Sequence, residues 1–367
     1  MSLGAAFLMA TSAIGPGFLT QTTVFTQQLM ASTGFVILCS VLIDIVAQLN
    51  IWTIVVSGKQ PASQIANLAL PGSGHLLTVL ICVGGLAFNI GNVSGCGLGL
   101  QMLLPVSVET GGTISALLAV FLFLAKDANK AMDTFVKLLG IVMLLLMLYV
   151  ATTSRPPVAE AVWRTFAPDT INFTAIVTLV GGTVGGYITF AGAHRLLEAV
   201  PAPSISQVKQ SATRGILITA CMRALLFLSV LGVLHAGNTL DPSNPAASVF
   251  RAAAGTTGYT FFGIVLWSAS ITSVVGSAYT SVSFLRTLHP VFDSNKNLAT
   301  VLFIAISTLI FIIVGKPVSV LIVAGALNGL ILPFSLALML WVASKKITPG
   351  YTHPKLSLIH ISEPTRQ

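Results

Sequence analysis

Apolar residues fill long stretches of the chain, and short segments with Gly, Pro, Asn or charged residues separate these stretches. A transmembrane helix needs about 20 mostly apolar residues, because the hydrocarbon core is roughly 30 Å thick and a helix rises about 1.5 Å per residue. The pattern therefore predicts an all-α integral membrane protein. The ten predicted spans cover residues 4–28, 34–56, 75–103, 112–126, 134–152, 173–199, 214–236, 258–286, 297–315 and 317–343.

Composition supports this prediction. Of the 367 residues, 54% are hydrophobic and only 8% are charged, whereas soluble domains average about 25% charged residues. So few charges would leave large apolar patches in water, which excludes a water-soluble enzyme and makes the lipid bilayer the expected surroundings. The net charge of +8 does not indicate a nucleic-acid partner, because basic residues are scattered between apolar stretches. The four cysteines lack disulfide or zinc-ligand spacing, and no cofactor is expected.

The distribution of Lys and Arg predicts the orientation. With a cytoplasmic N-terminus, only Arg155, Arg164, Arg251 and Lys316 fall outside. Because cytoplasmic loops are enriched in Lys and Arg, we expect both ends to be cytoplasmic, in a multi-pass protein of the bacterial inner membrane. The residues then inside are Lys59, Lys126, Lys130, Lys137, Arg195, Lys209, Arg214, Arg286, Lys296, Lys345 and Lys346.

The spans predict one transmembrane domain over residues 1–354, with halves over about 1–152 and 173–343. The stretch 355–367 continues no helical pattern and is interpreted as a non-native tail. The first apolar stretch lacks a basic start and a small-residue cleavage pattern, so it is interpreted as a span rather than a signal peptide. Whether native segments are missing at either end stays open, as does the oligomeric state.

Two spans contain residues that interrupt helices. In the first, Pro16 lies between Gly15 and Gly17, and proline removes a backbone donor and clashes with the preceding turn. In the sixth, glycines cluster at positions 181, 182, 185, 186 and 192. These spans open two five-helix halves, and interrupted helices at matching places predict a transporter with a 5+5 inverted repeat and a site near the midplane. Close helix packing through glycine is the alternative interpretation.

Several motifs are shared with a known family. Gly15-Pro16-Gly17-Phe18 stands where that family has Asp-Pro-Gly-Asn, and the Ser-Gly-Lys run at 57–59 matches its Thr-Gly-Lys. Further matches are Gln48, the Gly-rich run 95–103, the stretch 121–124 and the Leu-Pro-Phe run at 332–334. In these motifs the chain resembles the NRAMP family (natural-resistance-associated macrophage proteins), which transports divalent transition metals. The resemblance covers all ten spans and implies the LeuT-like fold with discontinuous helices 1 and 6.

The chain departs from this family where the chemistry would be. The resemblance aligns the family's metal ligands, a first-helix Asp and Asn and a sixth-helix Met, with Gly15, Phe18 and Thr189. Its proton-path acids fall at Asn89 and Asn92, and Asn does not carry a proton at physiological pH. Its Met-Pro-His-Asn run reads Thr-Phe-Ala-Gly from position 189. Because first-row divalent cations favour carboxylate, thioether or imidazole ligands, the metal chemistry is expected to be replaced, and no acidic side chain is expected in the pocket.

The substrate site is expected at the two interruptions. A half-helix that begins near Phe18 presents a partial positive charge and free N–H groups, which suit a carboxylate. Phe18 and Phe190 would form apolar walls. We expect a small organic acid or amino-acid-like solute; a divalent metal held by backbone carbonyls is the alternative. The candidate binding residues are Gly15, Pro16, Gly17, Phe18, Thr20, Gln21, Gly185, Gly186, Thr189 and Phe190, with Thr22 and Thr23 as further donors.

Other polar residues in the spans are candidates for ion coupling or gating. Asp44 lies mid-span, where an ionisable residue is by default a functional candidate, although a structural acid paired with a hydroxyl or a basic group fits equally. Arg223 is expected to snorkel to the cytoplasmic surface, and pairing with Asp44 is the alternative. His194 and Glu198 share a helix face, as a gate or an orienting charge cluster would. The coupling ion, proton or sodium, stays open. The candidate set is Asp44, Asn89, Asn92, His194, Arg195, Glu198 and Asn328.

Two other classes of membrane protein fit less well. A channel would need repeated filter residues around a continuous polar pore. A membrane-embedded enzyme would need a metal-binding, nucleophile or paired-carboxylate motif. Since the sequence shows neither pattern, we expect a secondary transporter that moves its solute by alternating access, and no enzyme.

Overall fold

The described part of the protein consists of helices joined by short connections. The structure is a computed structural model and describes residues 15–125, 128–198, 203–289 and 291–345, without the side chains of 126–137 and 139. A 3-10 turn at Met30–Ser32 accompanies these α-helices: α1 (Pro16–Leu29), α2 (Thr33–Gly58), α3 (Ala62–Ala69), α4 (Ser73–Leu103), α5 (Val108–Leu124), α6 (Ala128–Thr153), α7 (Val158–Phe166), α8 (Phe173–Thr183), α9 (Ile188–Leu197), α10 (Ile205–His235), α11 (Pro245–Leu285), α12 (Val291–Ser294), α13 (Lys296–Val314) and α14 (Pro317–Ser344).

Seven helical runs in the described ranges are long and apolar enough to cross a membrane. The first of these runs, Pro16–Gly58, has 43 residues and would extend about twice the hydrocarbon thickness as one helix. It therefore corresponds to the first two predicted spans. Met30, with a φ of 48°, separates α1 from α2 within it. The predicted fourth and fifth spans correspond to the shorter α5 and to α6. Residues 4–14 of the predicted first span, and the 355–367 tail, lie outside the described residues.

The hydropathy pattern missed the short helices, since each has fewer than the residues needed to cross a bilayer. α7 makes an angle of 107° with the end of α6, and it is amphipathic, since it carries Glu160 and Arg164 beside the apolar residues Trp163 and Phe166. Such a helix suits the plane of the membrane interface. α11 begins at Pro245 rather than at 258, and Gly255 (φ 61°) divides it; the predicted span corresponds to the part after this glycine.

Glycines bring α4 into backbone contact with its neighbours. A Cβ added at Gly99 would lie 2.6 Å from the backbone nitrogen of Trp267 in α11. A Cβ at Gly97 would overlap the carbonyl oxygen of Val108, the first residue of α5. Small residues permit this approach in membrane proteins, where packing rather than water exclusion drives helix association. The third span is therefore the central element against which the eighth span and α5 pack.

Large apolar side chains cover much of the outer surface. Leu117 and Phe121 on α5, Ile313 on α13 and Phe334 on α14 each leave 68–74% of their surface exposed. A water-soluble surface does not carry such residues in quantity, whereas hydrocarbon solvates them well. The chain is a multi-pass integral membrane protein, and lipid is its immediate partner.

We expect Gly181→Ala to destabilise the protein, because a Cβ there would overlap the backbone carbonyl of Gly325 in α14. Overpacking costs about 1–3 kcal/mol, more than the roughly 1 kcal/mol that alanine gains from helix propensity. Gly91→Ala is the matched control, since its Cβ would meet only methyl groups of Leu321 and Ala324, at 3.3 and 3.7 Å. Thermal unfolding in detergent should give a lower Tm for G181A than for G91A; equal Tm values would contradict the contact.

Candidate substrate site

The first turn of α1 forms one side of the site. Gly15 is the N-cap with extended backbone (φ −96°, ψ −177°), and Pro16 is the first helical residue. A Cβ at Gly15 would lie 3.8 Å from Oδ1 of Asn92, and the ring of Pro16 fills the space beside Gly95. Two positions that are acidic in the NRAMP pattern thus face each other as Gly15 and Asn92. The helix begins where the sequence predicts the end of an interruption; the preceding segment lies outside the described residues.

The polar residues of α1 are less available than the sequence indicated. The hydroxyls of Thr22 and Thr23 donate to the carbonyls of Phe18 and Leu19, at 2.8 and 2.9 Å. These two hydroxyl protons are therefore engaged within the helix. Thr20 is buried in the same helix.

Gln21 is the polar side chain of α1 that crosses to a second helix. Its Nε2 donates to the carbonyl of Leu321 in α14 at 2.7 Å, and its Oε1 has no hydrogen-bond partner within the described ranges. A Cβ at Gly182 would overlap Oε1, while one at Gly325 would overlap Nε2. The amide is thus held between α8 and α14. The added Cβ of Gly17 would lie 3.3 Å from Nε2.

The sixth span is discontinuous, as predicted. α8 ends at Thr183 and α9 begins at Ile188. Asn328 of α14 accepts two hydrogen bonds from the gap. Its backbone carbonyl accepts from the backbone N–H of Gly186 at 2.8 Å, and its side-chain Oδ1 accepts from the backbone N–H of Tyr187 at 3.0 Å. Its Nδ2 donates to the carbonyl of Gly84 at 3.0 Å. Asn328 therefore satisfies backbone donors that the interruption frees.

The glycines of this gap also serve close packing. A Cβ at Gly186 would overlap the side chain of Ile331, and one at Gly185 would lie 2.8 Å from Cβ of Asn328. The glycine cluster therefore both interrupts the helix and permits close packing, because the residues that break the helix also let α14 approach it. After the gap, the hydroxyl of Thr189 donates to the carbonyl of Val184, so its one proton is used to brace the turn.

α9 is anchored by aromatic residues. Nε1 of Trp52 in α2 donates to the carbonyl of Thr189 at 2.8 Å, and the Trp52 ring lies against Gly192. Phe190 is buried, with 1% of its surface exposed. Trp52 was not among the predicted site residues, because an aromatic residue in an apolar run gives no signal of a polar contact.

Asn89 and Asn92 belong to a neutral network beside the gap. Oδ1 of Asn89 accepts from the hydroxyl of Ser277 at 2.8 Å, and its Nδ2 donates to Ser307 at 3.1 Å. Nδ2 of Asn92 donates to the same Ser277 at 3.4 Å. The hydroxyl of Tyr187 donates to the carbonyl of Ser277 at 3.2 Å. This network ties the third, eighth and ninth spans to the gap; its part in ion coupling stays a prediction.

Two ionisable residues are buried around the end of α8. Asp44 and Arg223 expose 2% and 1% of their surface. Oδ2 of Asp44 accepts from the hydroxyl of Thr183 at 2.8 Å, and Cζ of Arg223 lies 4.5 Å from the centre of the Phe18 ring. The prediction that Arg223 snorkels to the surface is wrong, because the side chain turns inward to Phe18 and α8. The expectation of a pocket without acids is also corrected, since the Asp44 carboxylate reaches the last residue of α8.

His194, Arg195 and Glu198 lie together near the C-terminal end of α9. Nε2 of His194 lies 3.3 Å from Oε1 of Glu198, as their spacing predicts, and the His194 ring packs on Phe284 with centres 5.3 Å apart. Arg195 lies on the same helix, and a Cβ at Gly276 would lie 3.2 Å from its Nη2. These contacts join α9 to α11. A gating role for the three residues stays a prediction.

Comparisons with known proteins identify the family. The model described as "Natural resistance-associated macrophage protein-like" matches residues 6–361. The chain belongs to the Nramp family. It is 56% identical to the Bacillus subtilis protein YcsG, over 96% of this chain and 88% of that protein. It is 54% identical to a Haemophilus influenzae protein, over 96% and 89%. Both relatives are described as uncharacterized membrane proteins.

Solved structures give the fold of this Nramp protein. The manganese transporter of Eremococcus coleocola superposes with a TM-score of 0.63 at 15% identity, over 92% of this chain and 78% of that one. MhsT, solved in complex with L-phenylalanine, superposes with a TM-score of 0.69 at 15% identity, over 92% and 88%. The LeuT-like fold is thereby confirmed. The protein is a membrane transporter of the Nramp family.

We expect Asn328→Ala to loosen the interruption of the sixth span. The variant leaves the buried N–H of Tyr187 without its acceptor, which costs about 1–3 kcal/mol. Ser335→Ala on the same helix is the control, because the Ser335 hydroxyl donates only to carbonyls of its own helix, at 3.0 Å. Thermal unfolding should show a larger loss for N328A than for S335A. Faster hydrogen exchange in peptides covering 184–190 should accompany it; unchanged exchange there would contradict the bracing role.

Proposed function

We propose that this transporter carries a small organic solute with an anionic group, an organic acid or an amino-acid-like compound. The solute would sit between the first turn of α1 and the gap between α8 and α9. Movement of these segments relative to the other helices would open the site to either side in turn. The solute crosses the membrane chemically unchanged, so the protein is proposed to act as a secondary transporter and not as an enzyme.

The observation that carries this proposal is the buried guanidinium of Arg223 above Phe18. Arg stays protonated in proteins, so the site contains a fixed positive charge. At an effective dielectric constant of about 20, two unit charges roughly 6 Å apart interact by about 3 kcal/mol, and a divalent ion doubles that value. Arg223 alone would therefore oppose a divalent cation by several kcal/mol and favour an anion by about half as much, and the buried Asp44 carboxylate, held by Thr183, offsets part of both effects.

The residues at the ligand positions agree with this preference. Gly15 and Phe18 offer no side-chain donor atom for a metal, and Thr189 offers only a neutral hydroxyl oxygen, whereas first-row divalent cations favour carboxylate, thioether or imidazole ligands. The N-terminus of α1 adds a partial positive charge on the same side as Arg223. MhsT shows that a similar architecture can hold an amino acid, since its structure contains L-phenylalanine.

A divalent metal ion is the second candidate, because the family model and the Eremococcus coleocola transporter, which is named for manganese, favour it. In the described ranges no group of three or more His, Cys, Asp or Glu side chains could hold a metal. A metal would depend on backbone carbonyls near Gly15, together with Oδ1 of Asn92. The two candidates differ in the sign of the solute charge, so a single binding assay separates them.

Purified protein in detergent should be stabilised by acids and not by manganese. A ligand that binds the folded state raises its Tm by mass action, so we expect L-lactate, succinate or L-phenylalanine to raise Tm, and proteoliposomes to accumulate that compound unchanged. Variants Gly15→Asp and Thr189→Met restore ligand types of the family and should gain a response to Mn²⁺. Saturable Mn²⁺ uptake by the wild-type protein that changes at Gly15 or Thr189 would overturn the proposal.

The coupling ion is either a proton or sodium. Several hydroxyls of α11 donate to carbonyls of their own helix, among them those of Ser270, Thr272 and Thr280, so their oxygen lone pairs remain free to coordinate a cation. Asp44 is the buried carboxylate nearest the gap, where proton transfer could occur. Uptake measured with sodium replaced by choline, and separately with the proton gradient collapsed, assigns the coupling ion.

We further propose that both ends of the chain face the cytoplasm of the bacterial inner membrane. Ser204 precedes α10 and Ser243 follows it, and both are exposed. In a variant without the native cysteines, Ser243→Cys should react with a membrane-impermeant maleimide in intact cells. Ser204→Cys should react only after lysis. The reverse labelling pattern would show the opposite orientation.

A further inference from the structure

We propose that Arg223 is the residue that binds the carboxylate of the transported solute. This assignment rests on the proposed function and deepens it, since it names the side chain and the chemical group recognised. Arg223 lies on α10, in the middle of the seventh span, and was not among the residues expected to bind substrate. Its guanidinium lies between the two interrupted segments, against Phe18 of α1 and Leu179 of α8.

The guanidinium is incompletely hydrogen-bonded. Nη1 makes two long contacts, 3.5 Å to the hydroxyl of Ser40 and 3.4 Å to the carbonyl of Leu179. Nε and Nη2 are buried and have no partner anywhere in the described part of the chain. These two nitrogens form one edge of the planar group, with parallel N–H bonds. That edge matches the two oxygens of a carboxylate, which accept both bonds at once.

The nearby carboxylate does not occupy this edge. Ion pairs within 4.0 Å among the described residues do not include Asp44 with Arg223. Oδ2 of Asp44 instead accepts from Thr183, whose hydroxyl also lies 2.7 Å from the carbonyl of Leu179. The last turn of α8 thus separates the two charges. A buried charge without a direct partner is costly, and a carboxylate ligand would supply that partner.

The position of Arg223 couples recognition to the moving segments. Its ring contact is with Phe18 in the first turn of α1, and Leu179 lies one turn before the gap of the sixth span. Arg223, Asp44 and Phe18 are all buried, so a solute reaches the guanidinium only when one of these segments moves away. Binding of the carboxylate would then draw α1 and α8 together around it.

The test compares wild-type protein with Arg223→Lys, Arg223→Gln and the control Arg214→Gln. Arg214 is an exposed arginine on the same helix. Equilibrium binding of radiolabelled L-lactate, succinate and L-phenylalanine is measured, and neutral lactamide competes against L-lactate. Losing charge-assisted hydrogen bonds should weaken acid binding about 10- to 100-fold in R223Q. R223K keeps the charge without the parallel donors. Its affinity for the acids should therefore be no higher than the logarithmic midpoint between the affinities of wild-type protein and R223Q.

The preference for L-lactate over lactamide separates ligand binding from a structural role. The ratio of the affinity for L-lactate to the affinity for lactamide should fall towards one in R223Q and stay at the wild-type value in R214Q. Asp44→Asn should strengthen acid binding, by about threefold to tenfold, because it removes a negative charge beside the guanidinium. Where R223Q fails to fold, R223K and D44N decide the outcome.

The failures are distinguishable. If the wild-type protein binds none of the three acids, the proposed function is wrong. The assignment of Arg223 is then wrong as well. Equal acid binding and an unchanged preference in the Arg223 variants mean that the function stands and the assignment is wrong. Weaker acid binding in D44N also contradicts the assignment, because a negative charge beside the guanidinium should oppose the binding of an acid.

Discussion

Polar backbone groups inside a bilayer must find partners within the protein, because hydrocarbon offers none. The interruption of the sixth span exists under this constraint, and Asn328 meets it. The backbone carbonyl of Asn328 accepts from the N–H of Gly186, and its side-chain Oδ1 accepts from the N–H of Tyr187. Without this brace, these two buried donors would lack acceptors, each at a cost of a few kcal/mol. The turn between α8 and α9, and therefore the site beside it, depends on that contact.

The brace also determines what surrounds the site. Asn328 can reach the gap because Gly181 and Gly186 let α14 approach α8 closely. The same approach holds Gln21 between α8 and α14, which positions the first turn of α1. On the opposite side, Asn89, Asn92 and Ser277 form a neutral network. Of the two buried charges beside the end of α8, Arg223 contacts Phe18 of α1, whereas Asp44 contacts Thr183 of α8.

The sequence predicted the scaffold well, because spans and interruptions depend on local features. Long apolar runs and the Gly-Pro-Gly motif predict helices and their ends without knowledge of tertiary contacts. The short helices were missed since α7, for example, is amphipathic rather than apolar. The start of α11 was placed too late because Gly255 divides the helix, and the segment before it is less apolar.

The site was predicted less completely, because its polar contacts join residues far apart in the chain. The sequence predicted Thr22 and Thr23 to be free donors, yet their hydroxyls donate hydrogen bonds to carbonyls of their own helix. Arg223 was predicted to snorkel, since a long Arg side chain can carry its charge along the helix to the surface. Only the packing of α10 against α1 and α8 shows that it turns inward. Asp44 was identified as a candidate from its depth alone, but its contact with Thr183 needed the fold.

The central claim is that the site between the interruptions attracts anions through an unpaired guanidinium edge. Bromide is a monovalent anion with an anomalous signal, so crystals soaked in bromide test it without knowledge of the natural solute. The account predicts an anomalous peak beside Nε and Nη2 of Arg223 that disappears in the R223Q variant. A site without bromide, together with a manganese peak near Gly15, Asn92 and Thr189 in crystals soaked with Mn²⁺, would contradict it.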